Sequence, residues 1–371
     1  MEIRPTGAPI STIIEIGNKA RKHQEQTKQS NLLLHAGINS VTQIDINQLV
    51  QNIDFNTATL QNYPGSAGRL DFREAINRYY FGDKADPTNI LVTAGGTNGL
   101  YVAFKTLNIS HILTPKFYWG TYKMLSIVNR LQHKVYSDFD ELLKIAPKLD
   151  HTAVIISDPG NPMGDKTEDA LLLEIINKLD SLGIPVIFDA PYRYLFVNEN
   201  DILYRRLISL ENVIINESFS KSIGLSGYRT GFLHNSNPLF IREAAKNILY
   251  CSNGVNVVGQ EIIKLLLSTP QGRIAMDKYK SETVEHVAKN IAWLKQHNLL
   301  ATDIYGNSQP IGIYAVINID AGELEKYGIF GVPLTYFTAD PAEVSGLTRI
   351  CVSTRHDTFV QFFDPIAKSR N

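Results

Sequence analysis

The most constraining feature of this sequence is a repeated alternation of short aliphatic runs and longer helical segments between about residues 89 and 234. The run Ala153–Ser157 reads Ala-Val-Ile-Ile-Ser, a continuous apolar pattern typical of a strand buried on both faces. Segments long enough to cross over a sheet separate the runs. The alternation predicts an α/β fold with a mainly parallel sheet between helices, and its strand candidates are residues 90–93, 111–114, 153–157, 184–189 and 213–216.

One helix of this region is marked with particular clarity. Thr167 is a suitable N-cap, acidic residues follow it, and Leu172 and Ile176 fall on the same face. Gly183 can end the helix because glycine adopts the left-handed backbone conformation without strain. These signals predict a helix over residues 167–182.

The remainder of the chain predicts a second, smaller domain. The pattern after Pro238 is helical at first and changes to alternating strands from about Asp303. A chain of 371 residues is also too long for a minimal domain. We therefore predict a large domain over residues 45–285 and a small α+β domain that combines residues 1–44 with residues 286–371.

The charge balance and the apolar pattern argue against several classes of partner. The sequence has 36 Lys and Arg against 37 Asp and Glu, a net charge of −1, so nothing points to nucleic acid or to an anionic membrane surface. No run of about 18 apolar residues suggests a membrane span. Cys251 and Cys351 suggest neither a disulfide framework nor a metal site, although a single bridge stays open. We expect a reduced, cytoplasmic chain without metal.

Ligands of open parallel sheets bind beyond the carboxyl ends of the strands, so the residues that follow each strand are the candidate site. After the first strand, Gly96, Thr97 and Asn98 would begin a helix with free N–H groups that suit a phosphate. The turn lacks the Gly-Lys-Ser/Thr and G-x-G-x-x-G spacings of common nucleotide loops. Taken alone, it fits a tight connection equally well.

Two further strands are followed by polar residues. Asn161 lies in the rigid turn Asp158–Gly164 and can offer an amide, although ordinary turn chemistry also explains it. Asp189 ends a buried strand, where a carboxylate is costly unless it is paired. Tyr192 can add a hydroxyl three residues later. The position of Asp189 predicts a nearby cation, either a side chain or a protonated ring nitrogen.

The stretch Ser218–Gly231 reads SFSKSIGLSGYRTG and follows the last of these strands. Ser218, Ser220 and Arg229 can donate hydrogen bonds to one anion, and the fork of an arginine suits a phosphate. Lys221 lies among them. Neighbouring positive charge lowers the pKa of an amine from about 10.4 and makes it nucleophilic near neutral pH. The alternative is a surface loop with an incidental lysine.

The four strand ends together fit one cofactor, pyridoxal 5′-phosphate. Lys221 would hold the aldehyde and Asp189 the pyridinium nitrogen, while an amide and a hydroxyl would contact the ring oxygen. A nucleotide-binding module built on the glycine turn would leave the lysine unexplained. The remaining contacts are predicted for Asn161 and Tyr192 at the ring oxygen, and for Gly96, Thr97, Ser218, Ser220 and Arg229 at the phosphate.

These motifs resemble, over nearly the whole chain, the fold-type I, aspartate-aminotransferase-like enzymes of class I and II, which use pyridoxal phosphate. Ser218–Gly231 is similar to the family's lysine signature, Asp158–Gly164 to N-P-x-N-P-T-G with Met163 in place of Thr, and Asp189-x-x-Tyr192 to the D-x-x-Y pair. The resemblance implies the fold-type I transferase fold. It also implies that Lys221 forms the Schiff base and moves the substrate α-proton.

Shorter matches imply roles for four more residues. The stretch PKFYWGTY resembles P-x-Y-x-x-Y, which implies that Phe117 lies on the cofactor ring, and YPGSAGRLDFR resembles a motif whose tyrosine, here Tyr63, reaches the phosphate across a homodimer interface. In TRICVS the resemblance implies that Arg349 binds the substrate carboxylate, with a surface arginine as the alternative. Gly37 lies in a short match to the segment that closes over substrate.

The resemblance implies an aminotransferase that moves an amino group from an L-amino acid to a 2-oxo acid, with Arg349, Asn161 and Gly37 contacting the substrate. The same motifs serve lyases, decarboxylases and elimination or replacement enzymes, because the reaction depends on which bond at Cα lies perpendicular to the ring. A non-catalytic binder or regulator is an interpretation from another class. No second arginine can be assigned to a side-chain carboxylate, so a dicarboxylate preference has no support in the sequence.

Overall fold

The computed structural model of the chain describes residues 1–197 and 201–370. Its strands, in chain order, are β1 (Leu32–Leu33), β2 (Ile90–Thr93), β3 (His111–Pro115), β4 (Gln132–Tyr136), β5 (Thr152–Ser157), β6 (Val186–Asp189), β7 (Val213–Ser218), β8 (Gly231–His234), β9 (Tyr314–Ile317), β10 (Ile329–Phe330), β11 (Val332–Pro333) and β12 (Thr348–Cys351).

The α-helices are α1 (Thr12–Thr27), α2 (Asn47–Val50), α3 (Ala58–Gln61), α4 (Leu70–Ile76), α5 (Gly96–Thr106), α6 (Gly120–Asn129), α7 (Phe139–Ile145), α8 (Asp169–Ser181), α9 (Arg193–Phe196), α10 (Ile202–Leu207), α11 (Phe219–Ser222), α12 (Pro238–Ser252), α13 (Val257–Ser268), α14 (Pro270–Gln296), α15 (Thr302–Tyr305), α16 (Ala321–Glu325) and α17 (His356–Arg370). A π-helical turn spans Asn77–Phe81, and short 3₁₀ turns span Pro87–Asn89, Ala146–Lys148, Ser226–Tyr228, Leu334–Phe337 and Pro341–Val344.

The central sheet has the strand order β2-β8-β7-β6-β5-β3-β4. The neighbours from β7 to β4 pair in parallel, whereas β8 runs antiparallel to both β2 and β7. The predicted α/β fold with a mainly parallel sheet is confirmed, and β8 makes the sheet mixed.

Each face of this sheet packs into its own apolar core. Val154 and Ile156 of β5 belong to one core, whereas Ala153 and Ile155 belong to the other. All four side chains are buried. The strand is apolar at successive positions because the side chains of a strand alternate between faces and both faces of this sheet are covered by helices.

The helix predicted over residues 167–182 begins two residues later than expected, at Asp169. The prediction that Thr167 caps it is wrong. The backbone N–H of Thr167 donates instead to Oδ1 of Asp158 at 2.7 Å, which keeps Thr167 in the preceding turn. Gly183 follows the helix with a φ of +70°, in the left-handed region, as its place at the helix end predicted.

The second part of the structure contains a three-stranded antiparallel sheet in the order β11-β12-β9. The N-terminal segment folds back onto this part, because β1 pairs in parallel with β10, with Leu32 beside Ile329. The predicted division at residues 44/45 and 285/286 stays a prediction. Among the helices of residues 1–197 and 201–370, none combines the length and apolar composition needed to cross a membrane.

The register of the central sheet brings the predicted site residues to one edge. Asp189 at the end of β6 lies beside Asn216 of β7. Ser218 at the end of β7 lies beside Gly231, and Gly231 lies beside Thr93 at the end of β2. Because β2, β6 and β7 end at the same edge, the residues that follow them meet there.

Candidate active site

A cavity of about 210 Å³ opens at this edge of the sheet. Eight of the residues predicted from the sequence lie around it, so the fold brings together groups that are more than a hundred residues apart in the chain. The lining comprises Gly96, Thr97, Trp119, Asp189, Pro191, Tyr192, Ser218, Ser220, Lys221, Ser226 and Arg229.

Lys221 projects from the short helix α11, which begins directly after β7. The Ser218 hydroxyl caps this helix by accepting a hydrogen bond from the N–H of Ser220 at 3.3 Å. The Nζ of Lys221 donates to the backbone oxygen of Gly37 at 2.5 Å. The pKa of Lys221 is lowered to about 8, chiefly by burial, and the charges of Arg349 and Arg229 are part of this lowering. A useful fraction of this amine is therefore neutral and nucleophilic near pH 7 to 8.

Asp189 is buried at the end of β6, with 3% of its surface exposed. Its Oδ2 accepts a hydrogen bond from the Tyr122 hydroxyl at 2.5 Å, and its Oδ1 accepts one from Nδ2 of Asn216 at 2.7 Å. Burial raises the pKa of Asp189 to about 6, and the two hydrogen bonds limit that rise. Because both donors are neutral, the carboxylate still lacks a counter-charge and is suited to a cationic ligand group.

Asn161 and Tyr192 form a polar pair next to the cavity. Nδ2 of Asn161 donates to the Tyr192 hydroxyl at 3.3 Å, and that hydroxyl lies 3.4 Å from the hydroxyl of Tyr314. Burial raises the pKa of Tyr192, so its hydroxyl stays protonated and can donate. Oδ1 of Asn161 is buried without a hydrogen-bond partner among the described residues. The donors of this pair, Nδ2 of Asn161 and the Tyr192 hydroxyl, can supply hydrogen bonds to a ligand oxygen, whereas Oδ1 can only accept.

The opposite end of the cavity carries groups that suit an anion. Nη1 of Arg229 donates to the Ser220 hydroxyl at 3.4 Å, and its Nη2 donates to the oxygen of Ala94 at 3.3 Å. Gly95 precedes α5 with a φ of +86°, and a Cβ at this position would lie 2.8 Å from Nη2 of Arg229. A glycine is therefore required where the arginine approaches the start of α5, whose N–H groups also favour an anion.

Arg349 reaches the site from β12 and is fully buried, so the alternative of a surface arginine is wrong. Its Nη2 donates to the backbone oxygen of His35 at 2.9 Å, whereas Nε and Nη1 have no hydrogen-bond partner among the described residues. The rings of Tyr314 and Phe337 lie 4.4 and 4.8 Å from its guanidinium carbon. A buried guanidinium with two open donors is suited to a carboxylate ligand.

Gly37 brings the N-terminal segment between these groups. Its backbone oxygen accepts from Lys221, and a Cβ at this position would lie 2.1 Å from the Tyr314 hydroxyl. Any larger residue would displace Tyr314, which also contacts Arg349. The glycine is therefore needed for the close approach of the segment to the lysine and the buried arginine.

Three predicted residues lie elsewhere. Phe117 lines a neighbouring cavity of about 260 Å³, whereas Trp119, two residues later, is in the lining of the Lys221 cavity. The side-chain oxygen of Asn98 accepts from the N–H of Ala94 at 2.9 Å, so it closes the turn rather than facing the cavity. Tyr63 is 84% exposed on the surface of the chain.

Two site residues, Asn216 and Tyr314, were not identified from the sequence, and Trp119 and Tyr122 were considered only for an aromatic side-chain pocket, with core packing as the alternative. Asn216 carried a usable signal, because it is a polar residue in an otherwise apolar strand and pairs in register with Asp189. The spacing of Trp119 three residues before Tyr122 was a weaker signal, since that stretch is aromatic throughout. Tyr314 lies in an ordinary strand pattern and had no local signal.

Comparison with known proteins gives one family. Residues 30–361 match the family model for aminotransferases of class I and II. The chain is similar to the aspartate aminotransferase of Pyrococcus horikoshii, at 28% identity over 46% of this chain and 47% of the relative. It is also similar to the histidinol-phosphate aminotransferase of Christiangramia forsetii, at 26% identity over 53% and 57%. The matched regions thus span about half the length of these curated relatives.

Solved structures support the same fold. The aspartate aminotransferase of Thermus thermophilus with maleate superposes with a TM-score of 0.84, at 17% identity over 99% of this chain and 100% of that chain. An aminotransferase from Mycobacterium tuberculosis superposes with a TM-score of 0.83, at 16% identity over 100% and 99%. At these identities, the likeness shows the aspartate-aminotransferase-like fold.

Proposed function

We propose, from the premise that the chain belongs to the class I and II aminotransferase family, that it moves an amino group from an amino acid to a 2-oxo acid. The proposed cofactor is pyridoxal 5′-phosphate. The observation that carries this proposal is the convergence of an amine, a carboxylate and an anion site on one cavity.

The residues present fit this cofactor. The amine of Lys221 has the lowered pKa that condensation with an aldehyde requires, and Asp189 is a buried carboxylate without a counter-charge. Nδ2 of Asn161 and the Tyr192 hydroxyl are placed to donate to an oxygen on the ring. The phosphate contacts would come from Gly96, Thr97, Ser218, Ser220 and Arg229.

Bound pyridoxal phosphate supplies an aldehyde for amines and a protonated ring that accepts electrons. Lys221 would hold the aldehyde, and its Nζ, once free, would be placed to take the α-proton of the amino acid. Asp189 would stay ionised beside a cationic ring nitrogen, whose charge would offset the burial that otherwise raises its pKa. Trp119 contributes an apolar surface to the same cavity.

Arg349 is the proposed carboxylate contact of both substrates. Its two open donors, Nε and Nη1, lie on different sides of the guanidinium, and each can donate a charged hydrogen bond to a carboxylate oxygen. Gly37 covers the lysine on the same side and helps to exclude water, and Asn161 completes the contact from the large sheet. Because every amino acid and 2-oxo acid carries this carboxylate, the contact serves both halves of the exchange.

The proposal includes a homodimer and a cytoplasmic location. Tyr63 is exposed in the single chain and lies beside a surface groove lined by Asn253 and Gly254, which is consistent with a residue that reaches a partner's site. Both Cys251 and Cys351 are free, as expected in a reducing compartment. Sedimentation equilibrium of the purified chain tests the dimer, and a monomer at micromolar concentration would contradict it.

The decisive experiment traps the cofactor. Wild-type protein incubated with pyridoxal phosphate should develop a visible absorption band, and borohydride reduction should leave a stable adduct on the peptide that contains Lys221. Lys221→Ala should give no adduct and lose turnover by about 10³-fold or more. The matched control is Lys246→Ala, which removes an exposed lysine paired with Glu243 on α12 and should behave as wild type.

Two results would contradict the proposal. An adduct on another peptide would move the covalent site, and normal turnover by Lys221→Ala would exclude the lysine as the reacting amine. Amino-group transfer itself is tested by mixing the loaded protein with single amino acids. The visible band should convert to the spectrum of the amine form and return when a 2-oxo acid is added. Release of ammonia or carbon dioxide instead would indicate elimination or decarboxylation.

A further inference from the structure

Arg193 is the residue directly after Tyr192, and its side chain is fully buried. The guanidinium contacts three carboxylates. Nη1 lies 3.0 Å from Oδ2 of Asp158, Nη2 lies 2.7 Å from Oδ2 of Asp169, and Nε donates to Oδ2 of Asp201. Arg193 therefore sits at the centre of a buried ion cluster behind the candidate active site.

The contact with Asp158 connects this cluster to the turn that carries Asn161. Asp158 follows β5 and is buried, with 2% of its surface exposed. Its Oδ2 accepts from Arg193, and its Oδ1 accepts from the N–H of Thr167 at 2.7 Å. One carboxylate thus closes both ends of the segment between residues 158 and 167. Asn161 projects from that closed segment toward Tyr192.

The other two carboxylates have different connections. Asp169 begins α8, is 42% exposed and also pairs with Lys166. Asp201 precedes α10 and caps it by accepting from the N–H of Leu203 at 2.9 Å. The Asp201 contact does not reach the segment that carries Asn161, and Asp169 touches that segment only near its end, through Lys166. Of the three ion pairs of Arg193, the one with Asp158 therefore leads to the active site, and the other two lead to the starts of α8 and α10.

We propose that Arg193 is a positioning residue that holds the Asn161 turn against Tyr192 through its ion pair with Asp158. The backbone places Arg193 and Tyr192 next to each other, and the ion pair ties the same backbone segment to the turn. This sets the Asn161–Tyr192 pair, whose nitrogen and oxygen lie 3.3 Å apart. The inference rests on the proposed function, because the pair acts on the ring oxygen of the proposed cofactor.

Loss of this ion pair should change the cofactor's titration and not merely the stability of the fold. Hydrogen bonds from Asn161 and Tyr192 favour the ionised form of a ring oxygen. If the turn moves away from Tyr192, at least one of these bonds lengthens, and the ionised form loses stabilisation. The pH at which the visible band changes should then rise by about one unit for one lost hydrogen bond to a charged oxygen.

The experiment compares three isosteric variants loaded with pyridoxal phosphate. Asp158→Asn removes the ion pair that connects Arg193 to the Asn161 turn and can keep the contact with Thr167. Asp169→Asn and Asp201→Asn remove the other two ion pairs of the same guanidinium. Each protein is titrated from pH 5 to pH 10 by visible absorbance, and its thermal unfolding midpoint is recorded. Arg193→Lys, which keeps the charge and cannot hold three carboxylates at once, is the fourth variant.

We expect Asp158→Asn and Arg193→Lys to raise the spectral midpoint, and the two control variants to stay within about 0.2 unit of wild type. Asp201→Asn should nevertheless lower the unfolding midpoint, since it leaves a buried arginine with one partner fewer. If Arg193→Lys does not fold, Asp158→Asn decides alone. Equal shifts in all variants, or none in Asp158→Asn, would overturn the inference. A wild-type protein without a visible band would refute the proposed cofactor instead.

Discussion

Two fully buried arginines of this protein have opposite surroundings. Arg193, behind the central sheet, contacts the carboxylates of Asp158, Asp169 and Asp201. Arg349, in the smaller sheet, contacts a backbone oxygen and two aromatic rings, and two of its nitrogens have no hydrogen-bond partner among the described residues. Both side chains have essentially no exposed surface.

This difference shows how the surroundings of a buried cation indicate its role. Removing a charge from water costs several kcal/mol, and the protein offsets this cost at Arg193 with its own carboxylates. At Arg349 the offset is missing, apart from weaker attraction to the faces of Tyr314 and Phe337. The surroundings of Arg193 are those of a structural ion cluster, whereas the open donors of Arg349 support its proposed role in binding an anionic substrate group.

The largest expected effect is on stability, with opposite signs at the two sites. Arg193→Met should lower the free energy of unfolding by about 3–5 kcal/mol, because it leaves buried carboxylates without a partner. Arg349→Met should leave the free energy of unfolding unchanged or raise it, because it removes an uncompensated charge and keeps an apolar side chain against two rings. Urea denaturation of the cofactor-free proteins measures both free energies of unfolding. Equal losses of stability in the two variants would contradict the distinction between the two arginines.

The next effect is on catalysis. Arg349→Gln should lower kcat/KM for an amino acid by about 10²–10³-fold, because the substrate carboxylate loses a buried charged partner. The dissociation constant of pyridoxal phosphate should stay within about twofold, since the anion site at Arg229 is separate. The matched control is Arg355→Gln, which alters an exposed arginine shortly after β12 and should retain wild-type kinetics. Full activity in Arg349→Gln would remove this residue from the substrate site.

A smaller effect is expected from an unreactive carboxylate. Butyrate at ten times its dissociation constant should stabilise the cofactor-loaded protein by about 1.4 kcal/mol, because it binds the folded state alone. The gain should be absent in Arg349→Gln and retained in Asp201→Asn, which alters the other buried arginine's cluster. Thermal unfolding with and without butyrate gives both values. Stabilisation that survives in Arg349→Gln would show that the carboxylate binds somewhere else.

The smallest effect concerns the lysine. The pKa of Lys221 is lowered to about 8, chiefly by burial and in part by the charge of Arg349. Because only the neutral amine captures an aldehyde, the rate at which cofactor-free protein binds pyridoxal phosphate should rise through pH 8. In Arg349→Gln the midpoint should move upward by less than about one unit, since one repelling charge is removed. An unchanged midpoint would show that Lys221 does not sense Arg349, and Arg355→Gln provides the control.

The sequence supported accurate prediction wherever the signal was local and periodic. The apolar run at Ala153–Ser157 and the polar residues after each strand sufficed to predict the sheet and the edge at which Asp189 and Lys221 meet. Local signals failed where a residue that suits one role makes a different contact in the folded chain. Thr167 looked like a helix cap but donates to Asp158 instead. The chemical roles of the predicted site residues stay predictions until the variants are measured.

The alternation of strands and helices by itself determined the α/β fold, because strand period and apolar content dictate which residues are buried on both faces of a sheet. It also determined which residues follow the strand ends. Only the tertiary structure decided the partners of the charged groups, such as Arg193 with Asp158 and Lys221 with Gly37. Those partners are far apart in the chain, and the strength of each contact depends on burial, which no local stretch of sequence contains.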